Sequence, residues 1–436
     1  MRIAVVSDLV RPNGAGLMAL LGAEVLTGAG HDVALLGGAM SLELHERLQR
    51  SLVGPVRCFT HDEGALDRRV SPADHAAFFT AFGRWFKTEM DGFGPDLVYI
   101  HNCGRVFTQL DICDLSQRVP VIHTMHDEWF ITDAHYTFRP NPGSPVLKRT
   151  FEPHRAPSLL EHRFDHLFDV PERAGRLTLA APSRWLADRA RRVYPGVNVE
   201  HLPNPIDTSL FALQDPAEAR QRLGMTTERP IVLFVGNPTQ ARKGFAAFSA
   251  ALDHADTLLG DHPTIRLVVG GAYSAAFGDG ASALGSGPLS DLIAAPMSRR
   301  VGRVEMAGDT VSVSGIDRAL MPSLYGAADL LIHPSRIDNL PTVPIEAGLC
   351  GTRCLASDVG GTAETMADLG DLFDGDSSPA ALAPLIVEAI ADVQNESAAT
   401  RSSRRAAHVD RYSIATHQTQ LIDLINGMVR PVGASS

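Results

Sequence analysis

The sequence holds few cysteines and no cysteine framework. Cys58, Cys103, Cys113, Cys350 and Cys354 are scattered without CxxC spacing. An odd count without a framework fits a reducing compartment. The Cys350/Cys354 pair is joined by no histidine or cysteine cluster, so it reads as buried packing rather than a metal site. Nowhere does an apolar run reach the ~18 residues that span a bilayer. The start, Met1-Arg-Ile-Ala-Val-Val6, reads as a strand entering the fold, without the apolar core and cleavage site of a signal peptide. A cytoplasmic location is expected. An excess of positive charge is also missing, since the formal net charge is −11. That argues against general nucleic-acid binding. Neither half carries a G-x-G-x-x-G turn between strand and helix, which excludes a nicotinamide dehydrogenase of the usual kind.

The chain has 436 residues, too many for one ordinary core, so two domains are expected. Short apolar runs alternate with helical stretches. Strands are predicted at 2–6, 32–36, 97–100, 119–123 and 177–180, with helices at 17–30, 72–90 (Ser71 as N-cap) and 182–193. A second series begins at Ile231, with strands at 231–235, 265–269, 304–306, 329–332 and 353–356. Continuous apolar strands with helices between them imply parallel, doubly wound sheets. The predicted fold class is therefore α/β with two Rossmann-like domains. The extended, proline-flanked stretch around Asn204 reads as the linker, dividing 1–204 from 205–410. A terminal helix within 411–430 is expected to return to the first domain. Residues 134–172 fit the alternation poorly and read as an insertion. Residues 272–288, rich in Gly, Ala and Ser, read as a loop.

In such sheets ligands sit at the carboxyl ends of strands, and the loops predicted there carry the chemistry. After the first strand, Gly14 and Gly16 allow close backbone approach to a ligand. His101 and Asn102 follow the strand ending at Ile100. His123, His126, Asp127 and Glu128 follow the next, gathering histidines and carboxylates at adjacent strand ends. In the second half, Gly236-Asn-Pro-Thr-Gln-Ala-Arg-Lys-Gly244 places Arg242 and Lys243 at a helix start, against the helix dipole, for which a bound phosphate supplies a reason. His333-Pro-Ser-Arg-Ile-Asp-Asn-Leu-Pro-Thr-Val-Pro-Ile-Glu-Ala347 is strand, turn and helix, with Asp338 and Glu346 flanking a helix that begins near Pro341. A helix start aims N–H groups at an anion, while carboxylates suit the hydroxyls of a ribose or sugar. Pro341 and Pro344 have no N–H, which leaves Leu340, Thr342 and Val343 as the local donors after Asn339. Asp358-Val-Gly-Gly-Thr-Ala-Glu364 is a third loop of this type.

Taken in order, these loops resemble the retaining glycosyltransferases of the GT-B architecture, family 4. The matching residues are Pro12–Gly16, His126-Asp127, Gly236…Lys243-Gly244, Pro334-Ser335…Asp338…Glu346-Ala347 and Gly360-Gly-Thr-Ala-Glu364. Three positions depart from the family pattern. Asp338 stands for the first glutamate of E-x7-E, Asn237 for an arginine, and Gly-Ala-Gly for a glycine pair.

The resemblance implies two domains facing across a cleft that closes on a UDP-, GDP- or ADP-sugar. Lys243 and Arg242 would meet the diphosphate and Glu346 the ribose hydroxyls. Asp338 would meet the sugar as a catalytic-site residue with His126. Gly14, Gly16, Asn237, Gly308, Asn339, Leu340, Thr342 and Val343 would complete the donor site, Gly308 lying near the nucleobase. His101, Asp127 and Glu128 are acceptor-side candidates. No cofactor, metal or nucleic acid is expected. The acceptor would be a glycan, a lipid-linked molecule or a small molecule. Residues 139–192 hold eleven Arg/Lys against six Asp/Glu, a surface suited to an anionic acceptor or to a peripheral membrane face. Two rival readings share the architecture: a hydrolase or epimerase of nucleotide sugars, and a non-catalytic binding subunit.

Overall fold

The structure, a computed structural model, describes residues 1–11, 14–51, 54–62, 72–132, 170–225, 227–270, 282–283, 303–366 and 369–429. Ser71, most of the 134–172 insertion and nearly all of the 272–288 loop lie outside them. The chain divides into two compact units. Unit 1 is Met1–Pro205 together with the chain from Ile414 on, and unit 2 is Ile206–Ser413.

Unit 1 contains seven strands: β1 (Arg2–Leu9), β2 (Asp32–Ala39), β3 (Val56–Thr60), β4 (Leu97–Ile100), β5 (Val121–Thr124), β6 (Leu177–Ala181) and β7 (Asn198–His201). Their order is β3-β2-β1-β4-β5-β6-β7, and every pairing is parallel. Sequence order turns back between β1 and β4, so the loops after β1, β4 and β5 leave the same carboxyl edge at the switch point. β1 is buried over nearly its whole length, as expected for a strand covered on both faces. One covering layer includes the Gly14–Gly28 helix and the terminal Ile414–Val429 helix. Leu421 and Ile425 of the latter are buried among Ile3, Val5, Leu20 and Leu35.

Unit 2 contains β8 (Ile231–Val235), β9 (Ile265–Val269), β10 (Ser282–Ala283), β11 (Arg303–Ala307), β12 (Thr310–Ser314), β13 (Leu330–His333), β14 (Arg353–Asp358) and β15 (Gly370–Asp374). The order is β10-β11-β12-β9-β8-β13-β14-β15. The six strands from β12 to β15 in that order pair parallel, while β11 pairs antiparallel with β12 and β10 antiparallel with β11. This sheet is therefore mixed at one edge, where the sequence pattern predicts parallel strands throughout. Its switch point lies between β8 and β13, so the loops after those two strands are neighbours.

Several elements differ from the sequence-based expectation. β1 runs on to Leu9, and Asp8 within it is fully buried. The stretch read as a linker begins as β7. Before the terminal helix come two helices for which the sequence analysis set no bounds, Pro379–Gln394 and Ala398–Tyr412, the second started by Ser397, whose Oγ accepts from Thr400 N.

Candidate functional site

Three loops at the carboxyl edge of the unit 2 sheet are locked together by their backbones. Arg336 N donates to Arg242 O at 2.8 Å, and Gly361 N donates to Asp338 O at 3.1 Å. Two glycines make the approach physically available. A Cβ on Gly244 would stand 1.9 Å from Pro334 O, and one on Gly360 would stand 1.9 Å from Asp338 O. Both have positive φ, +71° and +59°, where a side chain adds strain. Beneath them, buried Ser357 donates from Oγ to Ser335 O.

This lock brings Lys243 onto Asp338. The ammonium lies 2.7 Å from Asp338 Oδ2, with both side chains largely shielded from solvent. His333 Nε2 lies 3.3 Å from the same oxygen, and Ser335 Oγ donates to it at 3.3 Å. Burial works against the Asp338 charge, but Lys243, then His333 and Arg242, outweigh it and hold this carboxyl far below the usual carboxylate range. For His333, burial lowers the pKa below the ordinary histidine value, with Lys243 and Arg242 adding to the effect against Asp338. The site is thus a neutral imidazole beside a tight ammonium–carboxylate pair. The two members of that pair are 95 residues apart in sequence.

Eight residues after Asp338, Glu346 is in a different state. Its Oε2 accepts from Tyr325 Oη at 2.8 Å, and Arg318 Nη2 stands 3.8 Å from Oε1. Burial raises its pKa to about 7, with Tyr325 and Arg318 pulling the other way. Its helix, Thr342–Leu349, begins at Pro341 with no side-chain cap bond. In its first turn only Thr342 and Val343 carry N–H groups, because Pro344 has none.

Other predicted residues are placed as follows. Asn237 folds onto its own loop, its Oδ1 accepting from Thr239 N and Oγ1 at 3.0 and 2.8 Å; it shapes the turn. Asn339 is half-buried beside Asp338, and Leu340 turns its side chain into the unit 2 core. Gly308 does not join the site. It occupies the exposed turn between antiparallel β11 and β12, next to Asp309, whose carbonyl accepts from Arg266 N at the start of β9. That is the amino edge of the parallel strands, roughly 16 Å of strand from the carboxyl edge. Gly315, with φ +64°, follows β12 and lies at the carboxyl edge, where Gly270 N bonds Val313 O. Sequence reading missed Gly315, Arg318 and Tyr325. The V-S-V-S-G run ending in Gly315 was the available signal for the first. Tyr325 stands among apolar and small residues before β13, a setting that carries no signal of a polar role.

In unit 1, His101 Nδ1 and His126 Nε2 are 3.0 Å apart. Burial brings His126 down to about 4, with Asp127 opposing. Asp127 Oδ1 accepts from Trp129 N at 2.9 Å and so starts the short Trp129–Thr132 helix. Glu128 does not face the strand-end surface. It is fully buried and ion-paired with Arg189, which makes it a structural residue rather than an acceptor-side one. Gly14 is exposed at its helix start. Gly16 is buried, and a Cβ there would stand 2.7 Å from Leu9 O; its smallness lets the helix close on the end of β1.

Two doubly wound α/β units of this topology define the GT-B fold. Solved structures agree. Sucrose-phosphate synthase from Thermosynechococcus elongatus superposes with a TM-score of 0.66 at 20% identity, covering 98% of this chain and 99% of that one. Anabaena HepE in complex with UDP-glucose gives 0.62 at 19% identity, covering 98% and 100%. Residues 12–210 match the family model Glycosyltransferase Family 4, and residues 215–406 match Glycosyl transferases group 1. The chain belongs to this glycosyltransferase family. One curated relative, the D-inositol 3-phosphate glycosyltransferase of Acidothermus cellulolyticus, is 29% identical over 268 residues, which is 60% of this chain and 52% of the relative. The chain thus spans about half the length of that relative.

Proposed function

We propose that the protein transfers a sugar from a nucleoside diphosphate sugar to a hydroxyl-bearing acceptor, a glycan, lipid-linked or small molecule, with retention at the anomeric carbon. The observation that carries this reading is the convergence, at the β8/β13 switch point, of Lys243, Arg242, an uncapped helix start and Glu346. That set suits a diphosphate followed by a ribose. An ammonium has three N–H donors, so Lys243 can stay on Asp338 and still turn donors to phosphate oxygens. Thr342 and Val343 N–H groups add a few directed bonds. Together with Arg242 they would stabilise charge developing on the leaving diphosphate, often the largest catalytic term. This assigns charge neutralisation to side chains and backbone rather than to a metal.

Glu346, aligned by Tyr325, is the acceptor for ribose hydroxyls. Asp338 sets the position of Lys243 and His333 beside the sugar. Retention and a role for His126 in the transfer step rest on the family resemblance. A UDP-type donor is consistent with the HepE complex with UDP-glucose, although another relative bears the name GDP-mannose-dependent alpha-(1-6)-phosphatidylinositol monomannoside mannosyltransferase. The described part of the basic region includes exposed Arg184, Arg191 and Arg192 on one helix, which suits an anionic acceptor.

The test is calorimetric titration of UDP, GDP, ADP and their glucose and mannose derivatives into wild type and Lys243→Ala. One nucleotide series should bind, and the variant should lose about 1.5–3 kcal/mol, the usual range for a charged hydrogen bond. Equal affinity in both proteins would sink the diphosphate assignment.

A further inference from the structure

Unit 1 carries a group of buried imidazoles that the proposed chemistry uses only through His126. His101 follows β4, and His126 follows the neighbouring β5. Their rings are nearly parallel, 17° apart, with the Nδ1 of the first 3.0 Å from the Nε2 of the second. His101 is 2% exposed. Its ring packs on Tyr99 at 4.4 Å, and Tyr99 Oη accepts from Thr124 Oγ1 at 3.3 Å. The other nitrogen of His101, Nε2, is buried with no hydrogen-bond partner among the described residues. It faces the Gly14–Gly28 helix at Gly22, where a Cβ would stand 3.2 Å from Nε2 and 3.0 Å from the Tyr99 ring. Glycine therefore makes room for this ring in the middle of a helix.

The charges around the pair come from few groups. His123, His126 and His417 act on His101, and Asp127 acts on His126. His417 lies on the terminal helix, with Nδ1 2.8 Å from Pro203 O. Burial, first among the causes, lowers the pKa of all four histidines. At neutral pH the His101–His126 pair is two neutral rings sharing one hydrogen.

Two arrangements are available, because a neutral imidazole has one donor and one acceptor nitrogen. If His126 donates, the only N–H of His101 is on Nε2, a buried donor aimed at carbon. If His101 donates, Nε2 is a bare lone pair. A Cα hydrogen of Gly22 lies along the bond on which that Cβ would be built, and a lone pair can take it as a weak C–H contact. A buried N–H without an acceptor is the costlier fault.

We propose that His101 donates from Nδ1 to His126 Nε2 and so fixes His126 as the neutral Nδ1–H tautomer, which carries its hydrogen rather than a lone pair on Nδ1. His101 is then a positioning residue. The tautomer follows from unit 1 alone. Its use toward a hydroxyl or departing oxygen of a sugar rests on the transferase reading.

The experiment is long-range proton–nitrogen NMR on the whole chain labelled with nitrogen-15 at histidine, without ligand, assigned with His126→Gln. The expected result is a pyrrole-type shift at Nδ1 of His126 and a pyridine-type shift at its Nε2. The reverse pattern in wild type overturns the proposal. His101→Asn, which keeps an N–H donor near Nδ1, should preserve the wild-type pattern. His101→Phe, which keeps the packing and removes the donor, should lose it. Identical His126 patterns in the two variants would also overturn the proposal. Should His101→Phe fail to fold, the wild-type spectrum still decides. No substrate is needed, so a negative result here is separate from failure of the transferase assignment, which nucleotide titration reads.

Discussion

Asp338 and Glu346 lie eight positions apart on one loop and helix, and their environments push them in opposite directions. Asp338 is shielded, but an ammonium at 2.7 Å keeps it ionised. Glu346 is shielded too, and burial raises its pKa to about 7 against a phenol at 2.8 Å and a guanidinium at 3.8 Å. The sign of the consequence follows from linkage. An unfolded glutamate ionises near 4.5, so between there and 7 the folded protein binds more protons than the unfolded one. Glu346 therefore contributes most at or below its unfolded pKa and opposes folding above about 7. Glu346→Gln should stabilise the protein at pH 8 by at most on the order of 3 kcal/mol, with the gain vanishing near pH 4.5. Thermal denaturation across pH checks this. The same variant should bind UDP more weakly above about pH 7, with the difference closing as the pH falls and wild-type Glu346 takes up its proton. In wild type, UDP affinity should fall as pH drops below about 7, because a protonated carboxyl offers a poorer acceptor pair.

At the scale of elements, the site depends on loops that touch through backbone. Gly244→Ala puts a Cβ 1.9 Å from Pro334 O at a φ of +71°, so the β8 and β13 loops must part. Roughly 2–4 kcal/mol of stability should be lost, along with nucleotide affinity. Gly14→Ala is the comparison, because a Cβ there meets nothing within 4 Å, and only about 1–2 kcal/mol of backbone strain is expected. Denaturant titration of both variants separates the close contact from the dihedral cost.

Legibility in the sequence follows the same physics. Interior strands such as β1, β8 and β9 are apolar on both faces and stand out as continuous runs. β3, β7 and β15 end their parallel arrays and read as mixed, Val56-Arg-Cys-Phe-Thr60 being an example. β12 alternates serine with valine and escaped notice. Missing it hid the β11–β12 reversal, which puts Gly308 at the amino edge of the sheet and Gly315 at the carboxyl edge. The loops themselves were readable from glycine, proline and charge. The Lys243–Asp338 pairing and the Tyr325–Glu346 bond were not, since both depend on strand order.

At the scale of the molecule, unit 2 is a contiguous segment and unit 1 is not. A fragment 206–413 contains both cores of its sheet and every proposed nucleotide contact. It should fold cooperatively and bind the nucleotide within about threefold of the full chain, measured by calorimetry; no binding by a folded fragment would place essential contacts elsewhere. Ending the chain at Ser413 uncovers the positions filled by Leu421 and Ile425, each worth about 1.5–3 kcal/mol when buried. Unit 1 of that truncated protein should unfold at lower temperature, while unit 2 keeps its transition. The terminal helix also sets an order of events during synthesis. Although unit 1 is begun first, the ribosome must make all of unit 2 before the helix that completes unit 1 exists. Domains usually fold from the amino end as they emerge. Here the second unit can finish first, and the first must wait with part of its β1 face uncovered, a stage at which a chaperone that covers apolar surface would act.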